Sequence, residues 1–488
     1  MVQNAEFASP VAYDPAAATW CPDERPGAIP LPALEGRLRV DDEALRWAAE
    51  DYGHLVHQRP RAVLRPAHAR DVARIVEFAA RTGIPVAARG AGHSQGGQAQ
   101  AAGGIVVDMS ALDDIRFRGA SSVAAGGGAL WSDVVEAALA RGCTPPVLTD
   151  YLGTTVGGTL STGGIGGASQ HFGTQTDAVT ELEVVTGTGA LVTCSPAHEP
   201  ELFDAVRAGL GQFGIITAAV VDLVPAPRSV RRWTLPYRSR RQFLRDAQRL
   251  VREQHFDHLE GQVLPVGGEW CHVLEVAAYT REDDPDPGAA LDGTSREACG
   301  EGVEDVGYAE FAARLAEAER LFAATGEWQW PHPWLNAFVP ASAVEDVLAE
   351  ITGDPRQWPD AGASSLVLAY PVPARRLRTP MLVRPRVDDA DEAIWLVAVL
   401  RAVEPDRRSA DEVLASNRDV LGIVEAAGGC AYPVNAPTTD PSDWSRHYSG
   451  MWPAVVARKQ QFDPRGILTP GQPVAAVLAS AGGESAET

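Results

Sequence analysis

The segment Arg89 to Gln100, RGAGHSQGGQAQ, constrains this chain more than any other. It follows GIPVAA, which reads as a buried strand, and it packs four glycines, one histidine and one serine into twelve residues. So many glycines rule out a helix or strand interior and call for tight turns. A Walker phosphate loop needs Gly-Lys-Ser/Thr at its end, and no lysine is present. A dinucleotide fingerprint needs G-x-G-x-x-G opening a helix, but Gly96 follows Gly92 by four residues and QAQAAGGIVV is a poor helix. Two readings are left. One is a plain glycine turn between strands. The other is a concave row of backbone N–H groups suited to an anion such as a pyrophosphate, to which a second glycine-rich stretch, Thr155 to Gly167, could add donors. His93 has no task in a plain turn. In an anion-binding turn it could reach what the pyrophosphate carries, and an imidazole nitrogen is nucleophilic enough to bond covalently.

The surrounding pattern is α+β. DDEALRWAAEDYG reads as helical. RAVLRPAHARDVARIVEFAARTG predicts a strand, a turn and an amphipathic helix with Val72, Ile75, Val76 and Ala79 on one face and Gly83 past its end. IPVAARG and GGIVVDMSAL add strands, giving a βαβ-like opening. SSVAAGGGALWSDVVEAALARG reads as strand, turn and helix. AVTELEVVTGTGALVTCS predicts a hairpin, and ELFDAVRAGLGQFGIITAAVVDLVP a helix, a glycine turn and a strand. PAPRS at Pro225 to Ser229 marks a boundary, after which longer helical patterns appear: RQFLRDAQRLVREQ, YAEFAARLAEAERLFAAT and ASAVEDVLAEIT. The acidic run TREDDPDPGAALDGTSREACGEGVED reads as an exposed loop, and the residues after Val474 as a frayed tail.

With 488 residues, 45% hydrophobic and 22% charged, the chain has material for more than one domain. The net charge of −22 repels phosphate backbones and anionic membranes, so neither nucleic acid nor a membrane is expected as a partner. No stretch approaches a bilayer-spanning length. The first twenty residues lack a basic region and an apolar core, which predicts a cytoplasmic protein without a secretory signal. The six cysteines are scattered, with no CxxC and no partner histidines, so neither a disulfide framework nor a metal site is expected.

Read together, these blocks resemble the cytokinin dehydrogenases, PCMH-type flavoproteins related to vanillyl-alcohol oxidase. RGAGHSQGGQA, GGIVVDMSAL, TDYLGTTVGGTLSTGGIGG, HFGTQTDAVTELEVVTGTGALVTCS, ELFDAVRAGLGQFGIIT and DWSRHYSGMWPAVVARKQQFDPRGILTPGQP carry the resemblance, over most of residues 60–228 and 410–473. It implies a two-domain α+β flavoprotein. Residues 1–228 would begin the FAD-binding domain, with its core at about 57–226; residues 229–430 would form an α+β substrate (cap) domain; and residues 431–475 would return to the FAD domain, before a tail at 476–488. FAD would be held covalently through His93 and cradled by Ala88, Arg89, Gly90, Ala91 and Gly92. Ser94, Gln98, Thr155, Ser161, Ile165, Ile216, Tyr432, Thr469 and Gln472 would complete the cofactor site. Some relatives add a cysteinyl link just before a Val-Gly pair. Here Gly153 or Thr154 stands near that point, so a single link is expected.

The resemblance makes Asp150 the catalytic base and Glu260 its partner. Oxidising a secondary amine moves a hydride to the flavin, and a carboxylate in a dry pocket has the raised pKa needed to take the N–H proton. Without the family context, Asp150 also reads as a turn former and Glu260 as a surface carboxylate. Trp334 and Asn336, in WPHPWLNAFVP, face the substrate or belong to the core. Plant members carry a tryptophan after a Tyr-Pro strand; here Leu377 or a neighbour takes that place, in a loop with Arg375, Arg376, Arg378, Arg384 and Arg386. Those arginines either meet an anionic substrate group or form an exposed basic loop. The activity implied is oxidation of an N6-isoprenoid adenine to an imine, with oxygen or a quinone as electron acceptor. The alternatives are oxidation of another small amine or alcohol, or flavin binding without turnover.

Overall fold

The computed structural model describes residues 10–266, 269–280, 287–296, 302–353, 358, 365–387, 392–405, 407–435, 443–472 and 474. The chain opens with a small three-stranded sheet and then builds a four-stranded one. In this sheet Ala62–Arg65 and Val86–Arg89 both run parallel to Ile105–Asp108, which lies between them. The expected strand–helix–strand opening is therefore present, with a third strand inserted between its two strands. Its helix, Ala69–Thr82, buries Val72, Ile75, Val76, Phe78 and Ala79 against Leu64, Val86, Ile105 and Val107, and ends on Gly83 at φ 73°, the left-handed turn that glycine adopts without strain.

A five-stranded antiparallel sheet follows, ordered Leu191–Cys194, Val179–Val185, Ile215–Asp222, Ser122–Gly126 and Ile115–Phe117. The hairpin pairs Leu182 with Cys194 and Val184 with Val192. The remaining large sheet has eight antiparallel strands, beginning in sequence at Ser229–Tyr237 and ending at Cys430–Ala431. Strand alternation gives it two different faces. Gly261 meets Phe243 of the helix Arg240–Glu253, so no side chain fits there. Its strand neighbours Glu260 and Gln262 point the other way, into a cavity.

The chain then returns to the first unit. Leu468 pairs in parallel with Val86, and Thr469 N–H donates to Val86 O at 2.8 Å. A buried ion pair fixes this return: Lys459 Nζ lies 2.8 Å from Asp463 Oδ2 and 2.8 Å from Gln212 O, while Asp463 accepts the backbone N–H groups of Ile467 and Leu468.

Two local readings need correction. The acidic run after Thr280 does not end as a loop. Gly302–Gly307 is an edge strand on Ser229–Thr234, because Asp305 and Glu304 find Arg231 and Arg232 on the neighbouring strand. Much of the rest of that run, and the tail, lie outside the described residues. The helical pattern from Tyr308 to Thr325 breaks at Ala313 and Arg314 into two helices, Tyr308–Ala312 and Leu315–Thr325. No described helix is long and apolar enough to cross a membrane. Among the described residues, Cys21, Cys143, Cys194, Cys271 and Cys430 are free thiols.

Candidate active site

A cavity of about 490 Å³ separates the glycine-rich segments from the open face of the eight-stranded sheet. Ala88, Gly90, Ala91, Gly92, His93, Ser94, Gln98, Thr155, Ser161, Ile165, Ile216, Tyr432, Thr469 and Gln472 all line it, as do Asp150, Glu260, Trp334 and Asn336. The sheet supplies an apolar floor of Leu366, Leu368, Leu396 and Leu400, interrupted by Gln262. The side-chain amide of Gln262 bonds to no described residue.

The glycine turn is held from behind by a residue that sequence reasoning missed. Asp51, 3% exposed, accepts from Ser94 Oγ at 3.0 Å, Gly97 N–H at 2.7 Å and Gly53 N–H at 3.1 Å. Its signal was faint: one aspartate in EDYG, at the end of a helical pattern. Arg89 departs from expectation. Its side chain turns away from the cavity, lies over the Trp47 ring at 4.6 Å and bonds to Glu50 O. Its guanidinium sits where a Cβ on Gly92 would go, and Gly92 has φ +73°. Arg89 therefore packs behind the turn, and the turn is open to a ligand through backbone alone.

His93 stands at the centre of an aromatic cage. Its ring stacks on Tyr52 at 4.2 Å and lies 4.7 Å from Tyr151, with Trp334 edge-on at 6.0 Å. Tyr52 in turn stacks on His332 at 4.1 Å. Burial, with His332 nearby, pushes the His93 pKa down to about 3. The imidazole is thus neutral at any ordinary pH, and neither ring nitrogen bonds to a described residue. Its position is set by stacking, and a lone pair is left free for chemistry.

Asp150 lies at the other side of Tyr151. Its Oδ1 is 2.5 Å from Arg314 Nη2, and the same nitrogen is 3.2 Å from Glu260 Oε2. Burial and the neighbouring Glu260 push the Asp150 pKa up to about 7, against the pull of Arg314. Behind them, His258 Nε2 is 3.7 Å from both Glu260 and Glu275, and burial holds it neutral, with a pKa near 4. His258, Glu260 and Glu275 have donor atoms close enough to suggest a metal cluster. The guanidinium of Arg314 already occupies their midst, 3.7 Å from Glu275 Oε1 and 3.4 Å from His258 Nε2, and supplies the positive charge. Arg314 escaped sequence reasoning because it sits in what reads as a continuous amphipathic helix, on the Phe311 side.

Of the other candidates, Tyr432 accepts from Gly164 N–H at 3.2 Å. Thr155 caps the short helix Val156–Leu160, and Thr469, at φ +55°, donates to Gly211 O at 2.8 Å. Gln98 ties Gly96 N–H to Asn435 O. Arg375, Arg376, Arg378, Arg384 and Arg386 are absent from the cavity wall, and Leu377 is buried in the core. Arg376 reaches Gln254, and Arg378 reaches Asp177. The tryptophan on the wall is Trp334.

The chain matches a family model described as FAD binding domain over residues 60–195, and one described as Cytokinin dehydrogenase 1, FAD and cytokinin binding, over residues 300–475. Cytokinin dehydrogenase 7 of Oryza sativa is 36% identical, covering 92% of this chain and 93% of its own. Cytokinin dehydrogenase 2 of Arabidopsis thaliana is 32% identical, covering 91% and 95%. The chain belongs to the cytokinin dehydrogenase family. It is thus an FAD-dependent oxidoreductase with the two-domain PCMH-type fold. An uncharacterized oxidoreductase of the fasciation locus of Rhodococcoides fascians is 40% identical over 90% of this chain and 99% of its own. Among solved structures, 6-hydroxy-D-nicotine oxidase from Arthrobacter nicotinovorans shares the fold, with a TM-score of 0.69 at 22% identity over 88% of this chain and 96% of that one.

The cavity fits the family's cofactor on its own terms. In the second glycine segment the Gly157 N–H is already bonded to Gly127 O at 2.8 Å, whereas at Gly90 a Cβ would run into Thr155 Oγ1, so the first turn lines the cavity there as bare backbone. Such a wall offers N–H groups without side chains, as a diphosphate requires, and the apolar floor opposite suits a flat ring system.

Proposed function

We propose that this member of the cytokinin dehydrogenase family oxidises an N6-isoprenoid adenine at the carbon next to its exocyclic nitrogen, giving an imine that water then cleaves. The observation that carries the reading is Asp150, a carboxyl with its pKa near 7, in the same cavity as the neutral His93. FAD, held covalently through His93 and non-covalently by the glycine turn, supplies the acceptor for the hydride. The protein's own part is proton handling and orientation. Asp150 takes the N–H proton, and its raised pKa makes it a stronger base than an ordinary aspartate while leaving about half of it ionised near neutrality. Glu260, beside it, makes the proton welcome once transferred. The leucine floor receives the isoprenoid chain, and the Gln262 amide offers one donor and one acceptor to the polar edge of a purine.

The test is anaerobic mixing of the purified protein with N6-isopentenyladenine while the visible flavin band is followed. Rapid bleaching supports the reading. A flavin that dithionite reduces but this substrate does not would overturn it.

A further inference from the structure

Asp150 and Glu260 come from a loop and a strand far apart in sequence, and one nitrogen joins them. Arg314 Nη2 lies 2.5 Å from Asp150 Oδ1 and 3.2 Å from Glu260 Oε2. Resting on the proposed function above, we infer that Arg314 is the positioning residue for the base: it holds the Asp150 carboxylate against Glu260, at the cavity wall, in one orientation.

Three observations support this. First, Arg314 lines the cavity and lies at the break between the helices Tyr308–Ala312 and Leu315–Thr325, where the chain leaves its helical path. The break places the guanidinium among three carboxylates, with its carbon 4.8 Å from the centre of the Phe311 ring. Second, the anchoring is deep. Glu275 receives Arg314 Nε at 3.7 Å and is itself held by Arg232 at 3.3 Å, so the guanidinium is fixed on the side away from the cavity. Third, the same helix is tied a second time to the catalytic loop, by Tyr151 Oη donating to Glu319 at 2.9 Å. Tyr151 follows Asp150 directly and packs on His93. A helix with no buried residue of its own is thus pinned to the two residues flanking the reacting region.

The groups that face Arg314 and Asp150 are His258 and Glu260 on one strand, Glu275 and Tyr279 on the next, Arg232 beyond them, and Tyr370 on the far side. Among these, His258 is neutral through burial, and Arg232 pairs with Glu275 and Glu304 rather than with Asp150. Arg314 is therefore the cation in direct contact with Asp150. Its removal leaves three carboxylates facing one another, and the proton on Asp150 is then harder to lose.

The experiment compares wild type, Arg314→Gln and Arg314→Lys, each checked for flavin content and visible spectrum. The rate of flavin reduction by N6-isopentenyladenine is measured against pH. Arg314→Gln should slow reduction at neutral pH, and its rising limb should move up by about one to three pH units, the usual influence of an adjacent opposite charge. Arg314→Lys, which keeps the charge but not the fork, should recover the pH midpoint without the full rate. Superimposable profiles after scaling would overturn the assignment.

If wild type is not reduced by this substrate, the proposed activity fails separately, and thermal unfolding against pH decides the role of Arg314. A carboxyl whose folded pKa is raised contributes stability at low pH that is lost as pH rises through that value. Arg314→Gln should therefore lose more stability than wild type between about pH 5 and about pH 8, and adding Asp150→Asn should restore much of it. Parallel curves for wild type and Arg314→Gln would again overturn the inference.

Discussion

The ring of His93 stacks on Tyr52 at 4.2 Å, with 28° between their planes, and this contact joins the glycine turn to a segment far earlier in the chain. The same pairing runs through the backbone, where Tyr52 N–H donates to Gly92 O at 2.9 Å. The imidazole is held by packing, neutral, with both nitrogens unengaged by described residues. Covalent attachment of FAD at His93 follows as an expected outcome. Acid-precipitated wild-type protein should stay yellow, and His93→Ala should leave its flavin in the supernatant. Free FAD released from the wild type by acid would exclude the bond.

Asp150 makes a second prediction. Asp150→Asn keeps the shape of the site and the hydrogen-bonding edge toward Arg314, but cannot take a proton. It should retain flavin and slow flavin reduction by about 2–4 orders of magnitude, the usual scale for removal of a general base. Stopped-flow reduction with N6-isopentenyladenine is the measurement, and an unchanged rate would remove Asp150 from the chemistry.

The pH dependence is a third. An ordinary aspartate, titrating near 4, would give a flat rate above about pH 5.5. With the Asp150 pKa near 7, the reduction rate should climb through neutrality and level off above it. Stability has the opposite slope, since protonated Asp150 is the form favoured by burial. Asp150→Asn should therefore raise the thermal midpoint relative to wild type at about pH 8, and the gap should close toward about pH 5.

How much of this was legible in the sequence differs from residue to residue. The strand–helix opening and the Val184–Val192 hairpin could be read because period and turn chemistry are local signals, whereas the C-terminal return was reached only through the family resemblance. So could His93, because glycine on both sides of a histidine is unusual. Asp51, Tyr52 and Arg314 could not be read that way. Each acts across the fold, on partners about 40 to more than 160 residues away, and each sits in a segment whose local pattern is an ordinary helix or its end. The arginines from Arg375 to Arg386 show the converse. Their clustering in sequence left open a charged cavity mouth or an exposed basic loop, and the fold separates the two: Leu377 packs inward and none of these arginines lines the cavity.

Gln262 gives a fourth prediction, about substrate orientation. Its amide interrupts a floor of leucines two residues along the strand from Glu260, and nothing described pairs with it. A purine edge would use both its donor and its acceptor, an exchange worth about 1–3 kcal/mol. Gln262→Leu should raise KM for N6-isopentenyladenine about tenfold or more with kcat kept within a few-fold, the signature of lost uniform binding. A drop in kcat at constant KM would place the purine elsewhere.

The last prediction concerns the return of the chain to the cofactor unit. Lys459 and Asp463 form a buried pair at 2.8 Å, each also bonded to backbone. Asp463 holds Ile467 and Leu468, whose strand-like contact with Val86 sets Thr469 and Gln472 at the cavity wall. Removing one partner strands the other charge in the interior, at a cost of about 3–5 kcal/mol. Lys459→Met should therefore lower the thermal midpoint clearly, whereas replacing both residues by apolar ones should cost less than either single change. Because the pair touches no cavity residue directly except through the strand it fixes, flavin content should fall together with stability in Lys459→Met. A variant that melts early yet keeps full flavin would show that this return supports the fold without shaping the cofactor site.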